Sequence, residues 1–226
     1  MKKSTFVFLW FIAFILFACG KKQVIMEQPI PEPVDSVIVV DKPIKKPKMT
    51  DFLKDYLELK YPDRKFDKYL FVSVKHQKMY LIENDSIIKK YTISTSKKGV
   101  GNKQHSNKTP IGLHSIKEKI GDDLPKGALF KSRIFTGKIA TIYKDPVKSP
   151  TDDVTSRILW LTGEEEGINK GKGVDSFKRY IYIHGTSEEG LIGTPESHGC
   201  IRMKNDDVIE LYDLVNIGTP VLILQY

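Results

Sequence analysis

Cysteine is scarce in this chain of 226 residues, and the sequence has no internal repeat. The two cysteines, Cys19 and Cys200, allow at most one disulfide, so a dense disulfide framework is excluded. Long apolar runs are also lacking near the amino terminus: the unbroken run at 6–18 has 13 residues, and crossing a bilayer takes roughly 20. That run is therefore typical of a secretory signal, and less so of a membrane-spanning helix.

Acidic residues are in the minority, and this bears on the partners of the chain. Lysine and arginine number 36 against 28 aspartates and glutamates, which gives a formal net charge of +8 and a pI near 9.2. The two signs are interspersed and no aromatic–basic pattern accompanies them, so the sequence does not indicate nucleic-acid binding. Two interpretations of the surplus stay open: weak attraction to an anionic polymer of the cell envelope, or a solvated lysine-rich surface.

The amino terminus has the order of an export signal. Met1-Lys2-Lys3 is basic, the apolar run follows, and Leu16-Phe17-Ala18-Cys19-Gly20 resembles a bacterial lipobox. The resemblance implies cleavage before Cys19 and a lipid on its sulfur, with an acylated amine completing a stable anchor. A plain secretory signal with a chance cysteine is the alternative. The first interpretation makes residues 1–18 a lipoprotein signal peptide, and it places the protein in the cell envelope, anchored to a membrane and facing the periplasm or the wall.

Residues 19–67 are expected to connect the lipidated cysteine to a domain. Their first part is rich in lysine and proline, a composition that favours extended and partly stiff chain. The prolines are Pro29, Pro31, Pro33, Pro43 and Pro47. Residues 51–57 then predict a short lead-in helix before Pro62.

Residues 68–226 are expected to form one globular domain that is mainly β, a length that suits a single core. The pair Asn84-Asp85 predicts a hairpin turn between two of its strands. The strand-like runs are 69–74, 79–83, 87–95, 111–116, 157–161, 180–184 and 220–225.

One helix and one long loop complete the expected domain. The helix follows Asn205, which is expected to cap it, and its apolar stripe predicts a buried face. The stripe consists of Val208, Leu211, Tyr212 and Val215. Between residues 117 and 156 the pattern dissolves into Gly, Pro, Lys and Asp, which predicts a long lid-like or binding loop.

The stretch from His184 to Met203, HGTSEEGLIGTPESHGCIRM, holds the residues best suited to catalysis. His184 is expected to end a strand and Cys200 to lie on a turn after Gly199. An imidazole can generate the nucleophilic thiolate, so we expect a Cys200 pKa well below the ordinary value of about 8.5. Gly199 lets the backbone approach closely, so that the amides around Cys200 can face a developing oxyanion. These are the parts needed for acyl transfer through a thioester.

Two other interpretations of the same residues remain. His184, His198 and Cys200 are of the types that bind zinc, although no nearby carboxylate is obviously placed as a further ligand. An inert buried cysteine with two surface histidines is the blander alternative, but small flexible neighbours do not build a core.

The motifs of this region resemble the signature of the L,D-transpeptidase (YkuD-type) catalytic domain family. The resemblance is carried by His184-Gly185-Thr186 and by Ser197-His198-Gly199-Cys200-Ile201-Arg202-Met203. Thr109-Pro110-Ile111-Gly112 is similar to the family's Thr-Pro-x-Gly turn, and residues 95–99 resemble the strand and loop that precede it. Arg202 stands where some members have asparagine. The resemblance covers nearly all of 68–226 and implies the β-sandwich or barrel-like sheets of that catalytic fold.

The resemblance also implies a reaction on peptidoglycan stem peptides. Cys200 would be the nucleophile and His184 the general base and acid. The oxyanion site would be shaped by His198 and Gly199, and Ser197 would orient the histidines. Arg202 would hold a substrate carboxylate or brace the loop. Tyr182 and Trp160 would line the cleft, with core packing as the alternative.

Several consequences follow from the resemblance. The acyl-enzyme would pass its stem to an amine, which forms a cross-link, or to water, which gives L,D-carboxypeptidase or L,D-endopeptidase activity. A wall-binding lipoprotein without catalysis is a further alternative. The resemblance implies no metal and no organic cofactor, and the partners expected are stem peptides and, through Cys19, a membrane. The protein is expected to be a monomer.

Overall fold

The computed structural model describes residues 48–226, which belong to one compact unit. The predicted signal peptide, the predicted lipidation site Cys19 and the proline-rich part of the predicted tether lie outside these residues. Within the described part of the chain, no helix is long and apolar enough to span a membrane.

The described residues form ten strands and two α-helices. The first helix, α1, is Met49–Lys60 and the second, α2, is Asn205–Leu214. The strands are β1 (Lys68–Ser73), β2 (Lys78–Glu83), β3 (Ser86–Thr92), β4 (Gly112–Ile120), β5 (Ala128–Lys131), β6 (Ile134–Ile139), β7 (Val154–Gly163), β8 (Tyr182–Thr186), β9 (Ile201–Met203) and β10 (Pro220–Leu224). The prediction of a mainly β fold with a clear carboxyl-terminal helix is confirmed.

All ten strands belong to one mixed sheet. Its main path runs β3-β2-β1-β10-β4-β7-β5-β6, and a branch leaves β7 through β8 to β9. The pairs β1–β10 and β8–β9 are parallel, and the other pairs are antiparallel. The branch is the part that matters for function, because it brings two segments far apart in sequence, 182–186 and 201–203, side by side.

The hairpin between β2 and β3 turns where the sequence predicts it. Asn84 and Asp85 have φ angles of 48° and 57°, the left-handed conformation that both central residues of a type I′ turn require. Asparagine and aspartate tolerate this conformation better than other non-glycine residues, so the prediction rested on a specific backbone preference.

The main core lies between α2 and one face of the sheet. The predicted stripe of α2 is buried there, together with Ile183 and Ile201 from the branch. Asn205, however, does not cap the helix, because the capping position is Lys204 and no side-chain cap is formed. The Asn205 side chain instead accepts from the hydroxyl of Thr155 at 2.7 Å and donates to the Thr186 carbonyl at 2.9 Å. It therefore joins α2 to β7 and β8, and the predicted cap was wrong.

Helix α1 packs on the other side of the sheet and is longer than the predicted lead-in helix. Leu53 and Leu57 are buried against Tyr69, Phe71 and Leu222. Burying one such leucine stabilises a protein by about 1.5–3 kcal/mol. The boundary expected at residue 68 therefore lies inside one compact unit, and the helix contributes to the same fold as the strands.

The segment 117–156 is not one long loop. Strand β4 continues to Ile120, β5 and β6 form a hairpin, and β7 begins at Val154. The central residues of this hairpin turn are Ser132 and Arg133, with φ angles of 50° and 69°. Asn-Gly or Asp-Gly pairs are the usual sequence signals of a hairpin turn with two positive φ angles, and neither pair is present at these positions. The prediction of a long lid-like loop was wrong in this part, and irregular chain remains mainly at 140–153.

Candidate active site

Strands β8 and β9 carry the candidate catalytic residues into one place. In their parallel ladder Ile183 lies opposite Ile201, and His184 lies opposite Arg202. The two isoleucines enter the main core, so His184 and Arg202 are on the other face of these strands, since side chains alternate along a strand. Cys200 directly precedes β9. His184 lies in the middle of β8 and does not end the strand as expected.

The thiol of Cys200 contacts the backbone at the start of β8. Its Sγ lies 3.3 Å from the Tyr180 carbonyl oxygen, to which it donates, and 3.4 Å from the Tyr182 amide nitrogen, which donates to it. Tyr180 has a φ of 57°, a conformation that is uncommon for a non-glycine residue. The sulfur is therefore held by an acceptor and a donor that are both fixed by the entry to β8, while the residue as a whole stays partly exposed.

The turn before Cys200 is closed by Ser197. The Ser197 hydroxyl donates to the Cys200 carbonyl at 2.6 Å and accepts from the Gly199 amide at 3.2 Å. Ser197 had been expected to orient the histidines. Both of its bonds lie inside the turn, so it shapes the turn instead. Gly199 has a φ of 129°, and a Cβ placed there would lie 3.2 Å from the Lys108 carbonyl oxygen. Glycine is thus required both by conformation and by space.

The turn at residues 109–112 supports the turn before Cys200 through residues 95 and 96. Thr109 Oγ1 accepts from the amide of Ser96 at 3.0 Å, and Ser96 pairs with Ser197 in an isolated β-bridge. The amide of Ser197 also donates to the Thr95 carbonyl at 3.0 Å. The two sequence motifs that accompany the cysteine motif are therefore structural supports of the cysteine turn.

His184 is buried and its tautomer is set by the backbone. Its Nδ1 lies 2.7 Å from the carbonyl oxygen of Gly185, which can only accept, so Nδ1 carries the proton and Nε2 is left as the basic nitrogen. Burial, and next the positive charge of Arg202, lower the pKa of His184 to about 4. The imidazole is therefore neutral at physiological pH and is able to accept a proton.

The environment of Cys200 acts against the expected thiolate. Burial raises the pKa of the Cys200 thiol to about 11, although the Tyr182 amide and Arg202 both favour the charged form. The expectation of a pKa well below 8.5 was wrong because burial outweighs these favourable contacts. The resting site therefore pairs a neutral thiol with a neutral imidazole, and deprotonation must accompany attack on the substrate.

Asp152 joins two of the candidate residues and was missed in the sequence. One carboxylate oxygen lies 2.8 Å from His198 Nδ1, and the other accepts from Arg202. Burial opposes its charge, but Arg202 and His198 together hold the pKa of Asp152 below its usual value. No short-range motif marks Asp152, because it lies 46 residues before His198 in the irregular segment.

Arg202 is engaged on both sides. One terminal nitrogen binds Asp152, and the other lies 2.7 Å from a Glu188 carboxylate oxygen. The side chain is 3% exposed. Glu188 in turn accepts from the Ser149 amide at 2.8 Å. Of the two roles expected for Arg202, this geometry supports bracing of the loops, and it leaves little of the guanidinium for a substrate carboxylate.

Trp160 and Tyr182 are packed side chains beside the cysteine. Each is 7% exposed, and the two rings meet edge to face at 5.4 Å. The Trp160 ring stacks on Phe177 at 4.0 Å and is covered from the hairpin tip by the guanidinium of Arg133 at 4.6 Å. Core packing, the alternative to lining the cleft, is therefore the main role that these contacts support, with Arg133 as the residue that closes over them.

The two histidines of the site form hydrogen bonds to oxygen atoms of the protein. His184 faces a carbonyl and His198 a single carboxylate through Nδ1. Among residues 48–226, no group of three or more histidines, cysteines, aspartates and glutamates is placed to hold a metal ion.

The chain is similar to known proteins in sequence and in structure. YqjB of Bacillus subtilis, which carries an L,D-transpeptidase name, is 48% identical over 52 residues, covering 23% of this chain and 28% of that protein. YkuD of the same organism, with a name of the same kind, is 52% identical over 46 residues, covering 20% and 28%. The matched part thus spans less than a third of the length of either relative.

Among solved structures, Bd1075 of Bdellovibrio bacteriovorus aligns with a TM-score of 0.44 at 17% identity, over 71% of this chain and 49% of that one. An L,D-transpeptidase from Mycobacterium smegmatis aligns with a TM-score of 0.41 at 18% identity, over 70% and 58%.

The family comparison covers most of the chain. The sequence profile described as the YkuD L,D-transpeptidase catalytic domain matches residues 67–223, which include the whole sheet up to β10 and every candidate residue from Asp152 to Arg202. The chain therefore belongs to the YkuD family of L,D-transpeptidase catalytic domains.

Proposed function

We propose that this protein is a peptidoglycan L,D-transpeptidase that works through a thioester on Cys200. The observation that carries the proposal is the arrangement at the start of β8, in a chain of this family. There the Cys200 thiol lies between the Tyr180 carbonyl and the Tyr182 amide, beside a strand that presents the neutral, buried His184. A thiol and a neutral imidazole are the two groups that nucleophilic acyl transfer requires.

The first half of the reaction forms the acyl-enzyme. Cys200 Sγ attacks the carbonyl carbon of the L-centre in a stem peptide while Nε2 of His184 takes the thiol proton. The new oxyanion is held by backbone amides of the turn, those of Cys200 and its neighbours. Collapse of the tetrahedral species breaks the C–N bond, and His184 returns the proton to the amine of the departing D-residue. The stem then remains as a thioester.

The second half transfers the stem to an amine. An acceptor amine from a neighbouring stem attacks the thioester carbonyl and gives a proton to His184 Nε2. The C–S bond breaks, an amide forms, and the sulfur regains the proton from His184. Water in place of the amine would give hydrolysis by the same steps, so the acceptor alone separates cross-linking from trimming.

We further propose that the protein is a lipoprotein of the cell envelope. The lipobox-like sequence that ends at Cys19 and the proline-rich stretch after it support this part of the proposal. A chain anchored in this way would present its catalytic domain where stem peptides are found, outside the cytoplasm.

The proposal is tested by incubating the purified full-length protein, in mild detergent, with purified muropeptides that carry four-residue stems. Mass spectrometry should detect a dimer whose mass equals two monomers less one free terminal D-amino acid, and the Cys200→Ala protein should form none. A product that has lost the D-residue but gained no partner would assign hydrolysis as the main activity. Unchanged muropeptides with the wild-type protein would refute the proposed function.

A further inference from the structure

Residues 164–181 connect β7 to β8, and the last turn of this segment holds the Cys200 thiol. We call the segment the β7–β8 loop. The Tyr180 carbonyl, near the end of the loop, accepts from Cys200 Sγ at 3.3 Å. Tyr180 has its left-handed φ of 57° in a turn where its amide donates to the Phe177 carbonyl at 3.0 Å. The placement of the sulfur therefore depends on how firmly the β7–β8 loop is held.

The β7–β8 loop is held from inside by a series of hydrogen bonds. The Ile181 amide donates to the Ser176 carbonyl at 3.2 Å, and the Ser176 amide donates to the Asn169 carbonyl at 2.9 Å. Asn169 is fully buried, and its side-chain amide donates to the Leu113 carbonyl of β4 at 3.0 Å. The Ser176 hydroxyl also lies 2.9 Å from Nε2 of the buried His114. A shift of Asn169 would therefore reach the residues beside the thiol.

The start of the β7–β8 loop is fixed by Glu165. Its amide donates to the Asn169 side-chain oxygen at 2.9 Å, and one of its carboxylate oxygens accepts from the Leu113 amide at 2.5 Å. The other carboxylate oxygen accepts at 2.7 Å from Nζ of Lys60, the last residue of α1. The Glu165 side chain is 10% exposed. Burial opposes its charge, but Lys60 and the Leu113 amide hold the pKa of Glu165 below its usual value. Glu165 is therefore a nearly buried carboxylate that is stabilised by a cation from α1.

A second ion pair joins the same two parts of the molecule. Both terminal nitrogens of Arg64, four residues after Lys60, contact the carboxylate of Glu164. We call the pairs Lys60–Glu165 and Arg64–Glu164 the latch. The family profile matches from residue 67 onward, so both cations precede the matched part of the chain. The latch therefore ties a segment from outside the matched domain to the loop that ends at the thiol.

We infer that Lys60 and Arg64 are positioning residues that act on Cys200 through the β7–β8 loop. The inference rests on the proposed function. Loss of the lysine leaves the nearly buried Glu165 carboxylate without its cation, which favours an arrangement of the loop in which that carboxylate reaches water. Because the loop ends at Tyr180, such a rearrangement moves the carbonyl that holds the thiol and exposes the sulfur. The segment before the matched domain thereby sets the rate of the reaction.

The experiment compares the full-length wild-type protein with its Lys60→Gln variant in two assays. In steady-state turnover of muropeptides, we expect kcat to fall about tenfold and KM to change by less than about twofold, because the latch acts on the nucleophile and not on substrate binding. In alkylation of Cys200 by iodoacetamide at pH 7, we expect about tenfold acceleration, the effect of lowering the pKa of the thiol by one unit as the sulfur becomes exposed. Lys60→Arg keeps the cation and should restore both rates.

Lys54→Gln is the matched control. Lys54 also lies on α1, but its partner at 3.2 Å is Asp85 in the β2–β3 turn, which is not part of the β7–β8 loop. Its loss should leave kcat and the alkylation rate unchanged. Wild-type values of both rates in Lys60→Gln, equal effects of the Lys54 and Lys60 variants, or failure of Lys60→Arg to restore the rates would overturn the inference. A purely structural role would lower the melting temperature of Lys60→Gln and change neither rate.

The two assays separate this inference from the proposed function, because alkylation requires no turnover. A wild-type protein that cross-links muropeptides, with a Lys60→Gln variant equal to it in both assays, refutes the latch alone. Faster alkylation of Lys60→Gln, in a protein that leaves muropeptides unchanged, supports the latch and refutes the proposed function alone.

Discussion

Alkylation of Cys200 should be slow at neutral pH and should accelerate with pH far beyond the range of an ordinary thiol. With its pKa raised by burial to about 11, the thiol is about 0.01% ionised at pH 7. An unperturbed cysteine with a pKa of about 8.5 is about 3% ionised at that pH. Because the thiolate is the reactive species, iodoacetamide should react roughly 300-fold more slowly with Cys200 than with a free thiol.

The assay follows the carbamidomethylated protein by intact-mass spectrometry between pH 6 and pH 10.5, with the Cys200→Ala variant as the blank. The logarithm of the rate should rise by about one for each pH unit over the whole range. His184→Ala should change these rates by no more than about threefold, because burial, and not His184, is the main cause of the raised pKa of the thiol. The same substitution should reduce turnover by about 10²- to 10⁴-fold, the usual contribution of a general base. A fast rate that is flat from pH 6 to pH 9 would show a preformed thiolate–imidazolium pair and refute this account of the site.

Three further changes test the supports of the site and the anchor. Asp152→Asn removes the negative charge that contacts both Arg202 and His198, so we expect turnover to fall about tenfold and the free energy of unfolding to fall by about 1 kcal/mol. Steady-state rates and chemical denaturation measure the two effects, and unchanged kinetics would show that Asp152 does not contribute to the site. Gly199→Ala places a side chain at a backbone φ of 129° and against the Lys108 carbonyl, so stability should fall by about 1–3 kcal/mol and most of the activity should be lost. A fully active variant with wild-type thermal stability would contradict this conformation of the cysteine turn. Cys19→Ala should leave an active protein that no longer fractionates with membranes, and retention through high-salt washing would show that lipid on Cys19 is not the anchor.

Much of the fold could be predicted from local patterns. Alternating β-rich runs and the Asn84-Asp85 turn predicted the strands of the β1–β3 meander, and the apolar stripe of α2 predicted its buried face. The β5–β6 hairpin was missed because its strands are short and its turn uses Ser132 and Arg133. The packing of α1 on the sheet was also missed, since a sequence does not reveal which distant strands a helix will cover.

The site could be predicted as a set of residues but less well as a set of roles. The motif around Cys200 and His184 is contiguous enough to identify, and the backbone contacts of the sulfur agree with its placement on a turn. The direction in which the pKa of Cys200 shifts depends on burial, and a sequence motif does not reveal how deeply its residues are buried. The role of Arg202 depends on Asp152 and Glu188, two carboxylates at unrelated distances along the chain.

The thioester of the stem peptide on Cys200 is tested most directly by intact-protein mass spectrometry of the wild-type protein, rapidly quenched in acid during turnover of a four-residue stem peptide. We expect an added mass equal to the peptide less one free terminal D-amino acid, located on Cys200, released by hydroxylamine and absent from the Cys200→Ala protein. Turnover by Cys200→Ala, or an adduct on any other residue, would contradict it.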